Sequence, residues 1–427
     1  MKIVMFTNTY KPHVGGVARS VETLEEMLES QGHQVYIIAP EFPEAEESDY
    51  KVFRVPAMQN FNGSDFSVCF GVPEVLPRII DAIKPDIVHS HHPFLLGDAA
   101  LRVARERGLP IVFTHHTMYE HYTHYVPLDS DALKRLAVQL STDYCNLCDA
   151  VIAPSESIER LLRKRGVETQ LACIPTGIDT KAFALGRRER FRNRFGISEA
   201  TFVAGHVGRL AEEKNLEYLS DALVLVLTKH SDMKFVVVGD GAYRSEMEER
   251  MNRVSDQVVF TGKMTGQDLA DAYASMDLFV MASQSETQGM VVAEAMAAGN
   301  PVVALDGPGI REIVDSDSNG RLLPSGASES EFADTISSLS KDHETLKRFR
   351  LGAQKSAADF DNHRCAAKVS ALYNSLLKAR TNGAHHDFSQ WDGLLAKIEV
   401  EWDLFVEKIH ALGATMAETQ ATEAKLD

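Results

Sequence analysis

The chain has 427 residues, 44% hydrophobic and 25% charged, and its 44 Lys+Arg against 61 Asp+Glu leave a formal net charge of -17. That length accommodates two or three domains of about 150 residues with a core in each, which excludes disordered and fibrous classes. The acidic balance repels phosphate backbones and anionic head groups, so no nucleic-acid partner is expected and a chain-wide basic grip on a membrane is excluded.

No stretch reaches about 18 consecutive apolar residues, and the chain opens directly on the strand-like KIVMF. A cytoplasmic protein that spans no membrane is therefore expected, with peripheral contact at the inner membrane face left open. The odd set of cysteines, Cys69, Cys145, Cys148, Cys173 and Cys365, reads as reduced thiols. Cys145 and Cys148 form one CxxC on a helical pattern; with no second pair to complete four zinc ligands, buried packing is expected over metal or redox chemistry.

In chain order, apolar β-branched runs predict strands at Lys2–Thr7, Gln34–Ala39, Asp86–His89, Pro110–Thr114, Ala150–Ala153 and Gln170–Ile174. Between them lie helices at Val17–Gln31, closed by Gly32, and Phe94–Arg107, closed by Gly108. After PTGIDTKAF the series restarts, with strands at Thr201–Val207, Lys234–Gly239, Gln257–Thr261, Asp277–Met281 and Pro301–Leu305. The reading is an α/β chain of two doubly wound Rossmann-like domains, 1–180 and 181–360, facing across a cleft, with the site at the carboxyl ends of the strands. A closing helix over 361–380 is expected to pack back toward the first domain. In the tail, 381–427, Phe388, Trp391, Leu395, Ile398, Trp402, Phe405, Ile409 and Leu412 form a heptad seam, which either docks on the body or pairs copies into a homo-oligomer through 388–412.

Gly15 and Gly16 stand where the first strand hands over to a helix, so bare backbone N–H groups there can face an anion or simply make a turn. Arg209 and Lys214, five apart after an apolar strand, either neutralise a departing diphosphate or line a solvated loop. In SQSETQGMVVAEAMAAGNPVV, Ser285 or Thr287 is read as the cap of a helix starting near Gln288. Glu294, eight residues beyond Glu286, lies in an Ala-rich helix and needs a fixed hydrogen-bonding partner; a ribose diol suits it. Glu286 can grip sugar hydroxyls, and the N–H groups of Gln288, Gly289, Met290 and Val291 can hold phosphate. Gly239 and Gly241 add a glycine turn at another strand end, with Asp240 as its stabiliser.

The combination of GGV, THHT, PTGIDT, GRLAEEKN, GDG and an E-x7-E pair followed by EAMAAGNPVV resembles the large retaining family 4 of GT-B glycosyltransferases. That family includes phosphatidylinositol mannosyltransferases and diacylglycerol glucosyltransferases, and the resemblance covers about residues 1–380. It implies a nucleotide-sugar donor in the second domain, an acceptor in the first, retention of configuration, and neither metal nor cofactor. Carried over by position, Gly16, Arg209 and Lys214 contact the donor diphosphate, Glu286 the sugar and Glu294 the ribose. Gly239 joins the donor residues, His116 lies near the anomeric carbon, and Tyr119 and Tyr122 join it on the acceptor side. Where the family more often shows an aromatic or small residue and then Gly after the first glutamate, this chain has Thr287–Gln288. That variant and THHTMYEHYTHY are similar to diacylglycerol glucosyltransferases.

The crowded histidines His89, His91, His92, His115, His116, His121 and His124 invite a metal reading, but hydrogen bonds in a polar cleft explain them as well and are preferred. Asp129–Ser130–Asp131 and Asp315–Ser316–Asp317 read as loop or capping carboxylates, not as the DxD of a metal-dependent enzyme. Phe61, Phe66 and Phe70 in one loop, and Arg160, Arg163, Lys164 and Arg165 together, either touch a bilayer or are a packed loop and a solvated helix end; the second is slightly favoured. The expected activity is hexosyl transfer, glucose from UDP-glucose, to a hydroxyl acceptor, with a lipid such as diacylglycerol preferred. A small soluble acceptor is the alternative, and a non-catalytic sugar-nucleotide-binding assembly protein the second.

Overall fold

A computed structural model describes residues 1–13, 15–42, 50–58, 68–69, 75–121 and 131–381. The tail seam at 388–412, Phe61, Phe66, Phe70, Tyr122, His124, Asp129 and Ser130 lie outside the described residues.

The first domain contains β1 (Lys2–Phe6), β2 (Gln34–Pro40), β3 (Val52–Val55), β4 (Ala57–Met58), β5 (Val68–Cys69), β6 (Ile87–Ser90), β7 (Ile111–Thr114), β8 (Ala150–Ala153) and β9 (Gln170–Cys173). Seven of these form a parallel sheet in the order β3-β2-β1-β6-β7-β8-β9, and β4 pairs antiparallel with β5. The second contains β10 (Phe202–Val207), β11 (Met233–Val238), β12 (Val258–Gly262), β13 (Leu278–Met281), β14 (Val302–Leu305) and β15 (Gly320–Leu323), parallel in the order β12-β11-β10-β13-β14-β15.

Strands such as IVMF and VVAL are apolar at every position because helices cover both faces of each sheet. Successive side chains of β1 alternate accordingly. Val4 and Phe6 enter a core with Phe113, Leu101 and Tyr144, whereas Ile3 and Met5 enter one with Val21 and Leu28 of the helix Gly16–Ser30. In the second domain Phe235 and Val237 face one core and Val236 and Val238 the other.

The helix Asn362–Thr381 places Val369, Leu372, Tyr373 and Leu376 in the first domain's core, although its sequence follows the second domain. The chain therefore crosses between the domains twice, and the crossings are bonded: Ile178 N–H donates to Phe360 O (2.8 Å) and Asn362 N–H to Ile178 O (3.0 Å). Gly177 permits this approach, because a Cβ there would stand 2.4 Å from Asn362 Cα.

Each sheet reverses its strand order once, between β1 and β6 and between β10 and β13, and the crevices outside those strand ends are where doubly wound sheets take ligands. Gly15–Gly16 and the loop starting at His91 follow β1 and β6; Arg209–Lys214 and Glu286–Gly289 follow β10 and β13. No described helix is long and apolar enough to cross a membrane. Cys145 and Cys148 are both buried, and burial pushes the Cys145 thiol up to about 12, so they pack as small hydrophobes.

Candidate active site

After β10, residues 208–214 are joined to the turn after β11. Gly208 N–H donates to Val238 O (3.0 Å), Leu210 N–H to Asp240 O (3.0 Å) and Tyr243 N–H to Leu210 O (2.9 Å). Gly239 has φ +141, and a Cβ on it would sit 1.8 Å from Gly208 O. This glycine lets two loops touch, and its own N–H donates to Gly262 O at 2.9 Å. Asp240 accepts from Gly241 N–H and pairs with Arg244, as a turn stabiliser does. Gly16 differs, since a Cβ there would meet nothing within 4 Å; internal packing does not demand a glycine, and the space above the helix start is open.

The loop so anchored carries Arg209, paired with Glu213, and Lys214, whose Nζ lies 2.7 Å from Glu286 Oε1. Ser283 Oγ donates to the same oxygen at 2.9 Å. Burial alone would raise the Glu286 carboxyl, but the Lys214 ammonium and these hydrogen bonds overcome it and hold the group below its usual range. Residues 72 apart in sequence thus form one ionised pair at the reversal point of the second sheet.

The helix after β13 spans Met290–Ala297 and starts at Gly289 in the left-handed region (φ +78) with no side-chain cap. The expected cap by Ser285 or Thr287 is corrected: Ser285 Oγ donates to Glu213 O and Thr287 Oγ1 to His116 O. The N–H groups of Met290 and Val291 have no intrahelical acceptor, whereas Val292 N–H already donates to Gly289 O. Glu294 is fully buried and has the fixed partners its position demanded, Tyr273 Oη at 2.8 Å and Arg19 of the first domain at 2.7 Å. Arg19 stands one helical turn after Gly16, and the Glu294 charge raises its pKa further. Sequence reasoning missed both partners; the available signal was a lone arginine near the open helix start.

In the first domain His91 and His116 follow β6 and β7, and His91 Nδ1 lies 2.9 Å from His116 Nε2 with the rings stacked. His89 bridges Thr114 Oγ1 (2.7 Å) and Tyr373 Oη (2.6 Å), and His92 Nδ1 accepts from Asn8 N–H (3.1 Å). Tyr119 packs edge-on against His115 and Phe94. Burial drives these imidazoles neutral: His89 and His92 fall to about 3, His115 to about 4, and His91 and His116 well below their usual range. Neutral His116 offers a hydrogen-bonding ring and no charge. Among the described residues no three His, Cys, Asp or Glu side chains gather as metal ligands do. The Asp315 triplet is a turn, Asp315 accepting from Asp317 N–H and Ser318 Oγ, and Asp131 lies in the first turn of the helix Asp131–Leu147.

The two sides meet directly. Thr287 Oγ1 donates to His116 O (2.8 Å), Ser155 Oγ donates to Thr287 O (2.7 Å), and the Gln288 amide accepts from Thr176 N–H (2.6 Å) while donating to Thr176 O (2.8 Å). A cavity of about 30 Å³ behind this contact is lined by His91, His116, Thr114, Ser20 and Thr176, room for one or two waters. The basic residues near 160 are largely engaged: Arg160 with Glu156 and Glu312, Arg163 with Val167 O and Thr169 O, and Arg165 with Glu120.

Residues 14–182 match the family model described as Glycosyltransferase Family 4, and residues 187–356 that of Glycosyl transferases group 1. The chain is similar to an alpha-monoglucosyldiacylglycerol synthase of Streptococcus pneumoniae, 32% identical over 75% of each chain. It is similar also to a GDP-mannose-dependent alpha-mannosyltransferase of Mycobacterium tuberculosis, 31% identical over 83% of this chain and 92% of that one. Among solved structures, Anabaena HepE in complex with UDP superposes with a TM-score of 0.72 at 21% identity, covering 88% of this chain and all of that one (100%).

Proposed function

The chain belongs to glycosyltransferase family 4, and from that premise we propose that it moves a hexose, glucose from UDP-glucose, onto the hydroxyl of a lipid such as diacylglycerol. Transfer proceeds with retention and without metal. The observation that carries this reading is the Lys214–Glu286 pair at the reversal point of the second sheet, whose loop is bonded to the backbone of His116 in the first.

Negative charge grows on the diphosphate as the glycosyl–oxygen bond breaks. Lys214, Arg209 and the N-termini of the helices at Gly16 and Met290 are the groups that neutralise that charge in this reading. Glu286, ionised, accepts from the sugar hydroxyls, while Glu294, both of whose oxygens are taken by Tyr273 and Arg19, holds the two domains together at the site and leaves the ribose to other groups. His116 orients the acceptor oxygen, whose proton passes on the same face to the departing phosphate oxygen. The relative that makes monoglucosyldiacylglycerol, at 32% identity, supports glucose and a lipid acceptor. The GDP-mannose-dependent relative, at 31%, favours a second reading with another nucleotide and sugar.

A donor and acceptor screen read by mass spectrometry tests the choice. UDP-glucose with diacylglycerol vesicles is expected to yield the glucosylated lipid, and Glu286→Ala to abolish it. A product only with GDP-mannose, or only with soluble acceptors, replaces the preferred reading by the second donor or by a soluble-acceptor enzyme. Equal turnover in Glu286→Ala refutes the site.

A further inference from the structure

Thr287 and Gln288 stand next to the proposed sugar-binding Glu286, yet both side chains point out of the second domain into the first. Gln288 is 3% exposed, and both ends of its amide are used by one residue, Thr176, through that residue's N–H and C=O. A two-point bond of this kind fixes the rotation of the loop as a strand pairing would. Thr176 lies in the first crossing between the domains, beside Gly177, so Gln288 is tied to that crossing. Thr287 is tied to the body of the first domain: its hydroxyl donates to the carbonyl of His116, and its own carbonyl accepts from Ser155 Oγ.

The far side of the loop is equally constrained. A Cβ on Gly309 would stand 2.6 Å from Gln288 N, and one on Gly289 2.5 Å from Ile310 Cδ1. The segment 286–289 is therefore held between the first domain and the turn at Gly307–Ile310, with little freedom to shift alone. Because adjacent Cα atoms are about 3.8 Å apart, any displacement of Thr287 relative to His116 moves Glu286 with it.

We propose that Thr287 and Gln288 are positioning residues that register the donor-sugar loop against the acceptor histidine, so that sugar and acceptor hydroxyl are aligned through one shared set of interdomain hydrogen bonds. The proposal rests on the glycosyltransferase reading of the site. It assigns to the Thr–Gln variant a coupling role: the second domain does not merely close over the donor, it sets the distance between Glu286 and the backbone of His116. A misalignment of about 1 Å between reacting groups is enough to slow a bimolecular transfer roughly a hundredfold while leaving binding of either partner intact. Water, which needs no such alignment, is less affected as an acceptor.

The test compares transfer with donor hydrolysis in the full chain, using the donor and acceptor found in the screen above. In Thr287→Val and in Gln288→Met, transfer is expected to fall at least tenfold relative to nucleotide release to water. Thr287→Ser, which keeps the hydroxyl, is expected to restore the wild-type ratio. Transfer and hydrolysis falling together, or an unchanged ratio in both variants, overturns the proposal, since loss of loop structure alone lowers both. If Thr287→Val fails to fold, Gln288→Met gives the same readout. A wild-type enzyme that turns over no nucleotide sugar refutes instead the reading on which the proposal stands.

Discussion

Lys214→Ala is expected to lower turnover of the nucleotide sugar by about two to three orders of magnitude, the range found when one preorganised charge at a developing anion is removed. The residue stands at the carboxyl end of β10 and contributes twice. In the proposed function its ammonium neutralises the departing diphosphate, and in the structure it lies 2.7 Å from Glu286 and holds that carboxyl below its usual range. Without it, only the Ser283 hydrogen bond and His206 oppose burial, and the Glu286 carboxyl rises from its depressed range. The variant therefore carries a second signature: the acid limb of kcat/KM against pH moves upward relative to the wild type. A variant with reduced rate and an unshifted acid limb separates the two roles and rules out the one through Glu286. A rate within fivefold of wild type removes Lys214 from the mechanism. Arg209→Ala is expected to lose less, because Arg209 is partly exposed and already paired with Glu213.

Lys214 and Glu286 could be singled out one at a time because each follows an apolar strand, and strand ends are legible from β-branched runs. The doubly wound architecture was legible for the same reason: runs such as AVIA and VVAL are buried on both faces, so their pattern depends on little beyond themselves. The edge strands β3 and β15 escaped. VFRV and GRLL are four residues long and interrupted by Arg54 and Arg321, since an edge is covered less completely than a centre.

What sequence could not supply is the set of bonds between the domains. Arg19 and Glu294 are 275 positions apart, and Gln288 and Thr176 are 112 apart; no local spacing encodes such meetings. One local reading, the helix cap, failed because a tertiary contact claimed the group in question. Thr287 has the composition of a helix cap, but its hydroxyl donates across the cleft instead.

Acid is expected to destabilise the fold in a window set by the histidines. His89, His92, His115 and His206 have native values of about 3, 3, 4 and 4, with burial the main cause in each, and His91 and His116 lie well below their usual range. An unfolded histidine titrates near pH 6.5, so between that value and about 4 the unfolded chain binds protons that the native chain refuses. Stability is then complete above about pH 7 and is lost as the pH falls through 6.5. Each histidine neutral in the native state costs about 1 kcal/mol at pH 5.5, so the group together costs several. Glu286, held below its usual range, gives up its contribution only as the pH falls below the ordinary carboxylate range, whereas Glu26, raised by burial, shifts the other way. Urea denaturation at pH 7.5 and 5.5 measures the effect, with a lower midpoint expected at the acid pH. His89→Gln keeps a hydrogen-bonding side chain between Thr114 and Tyr373 but cannot take up a proton, so its loss between the two pH values is smaller than wild type by about one histidine's share. Equal midpoints at both pH values would mean that these imidazoles are protonated, or reach water, in the native protein.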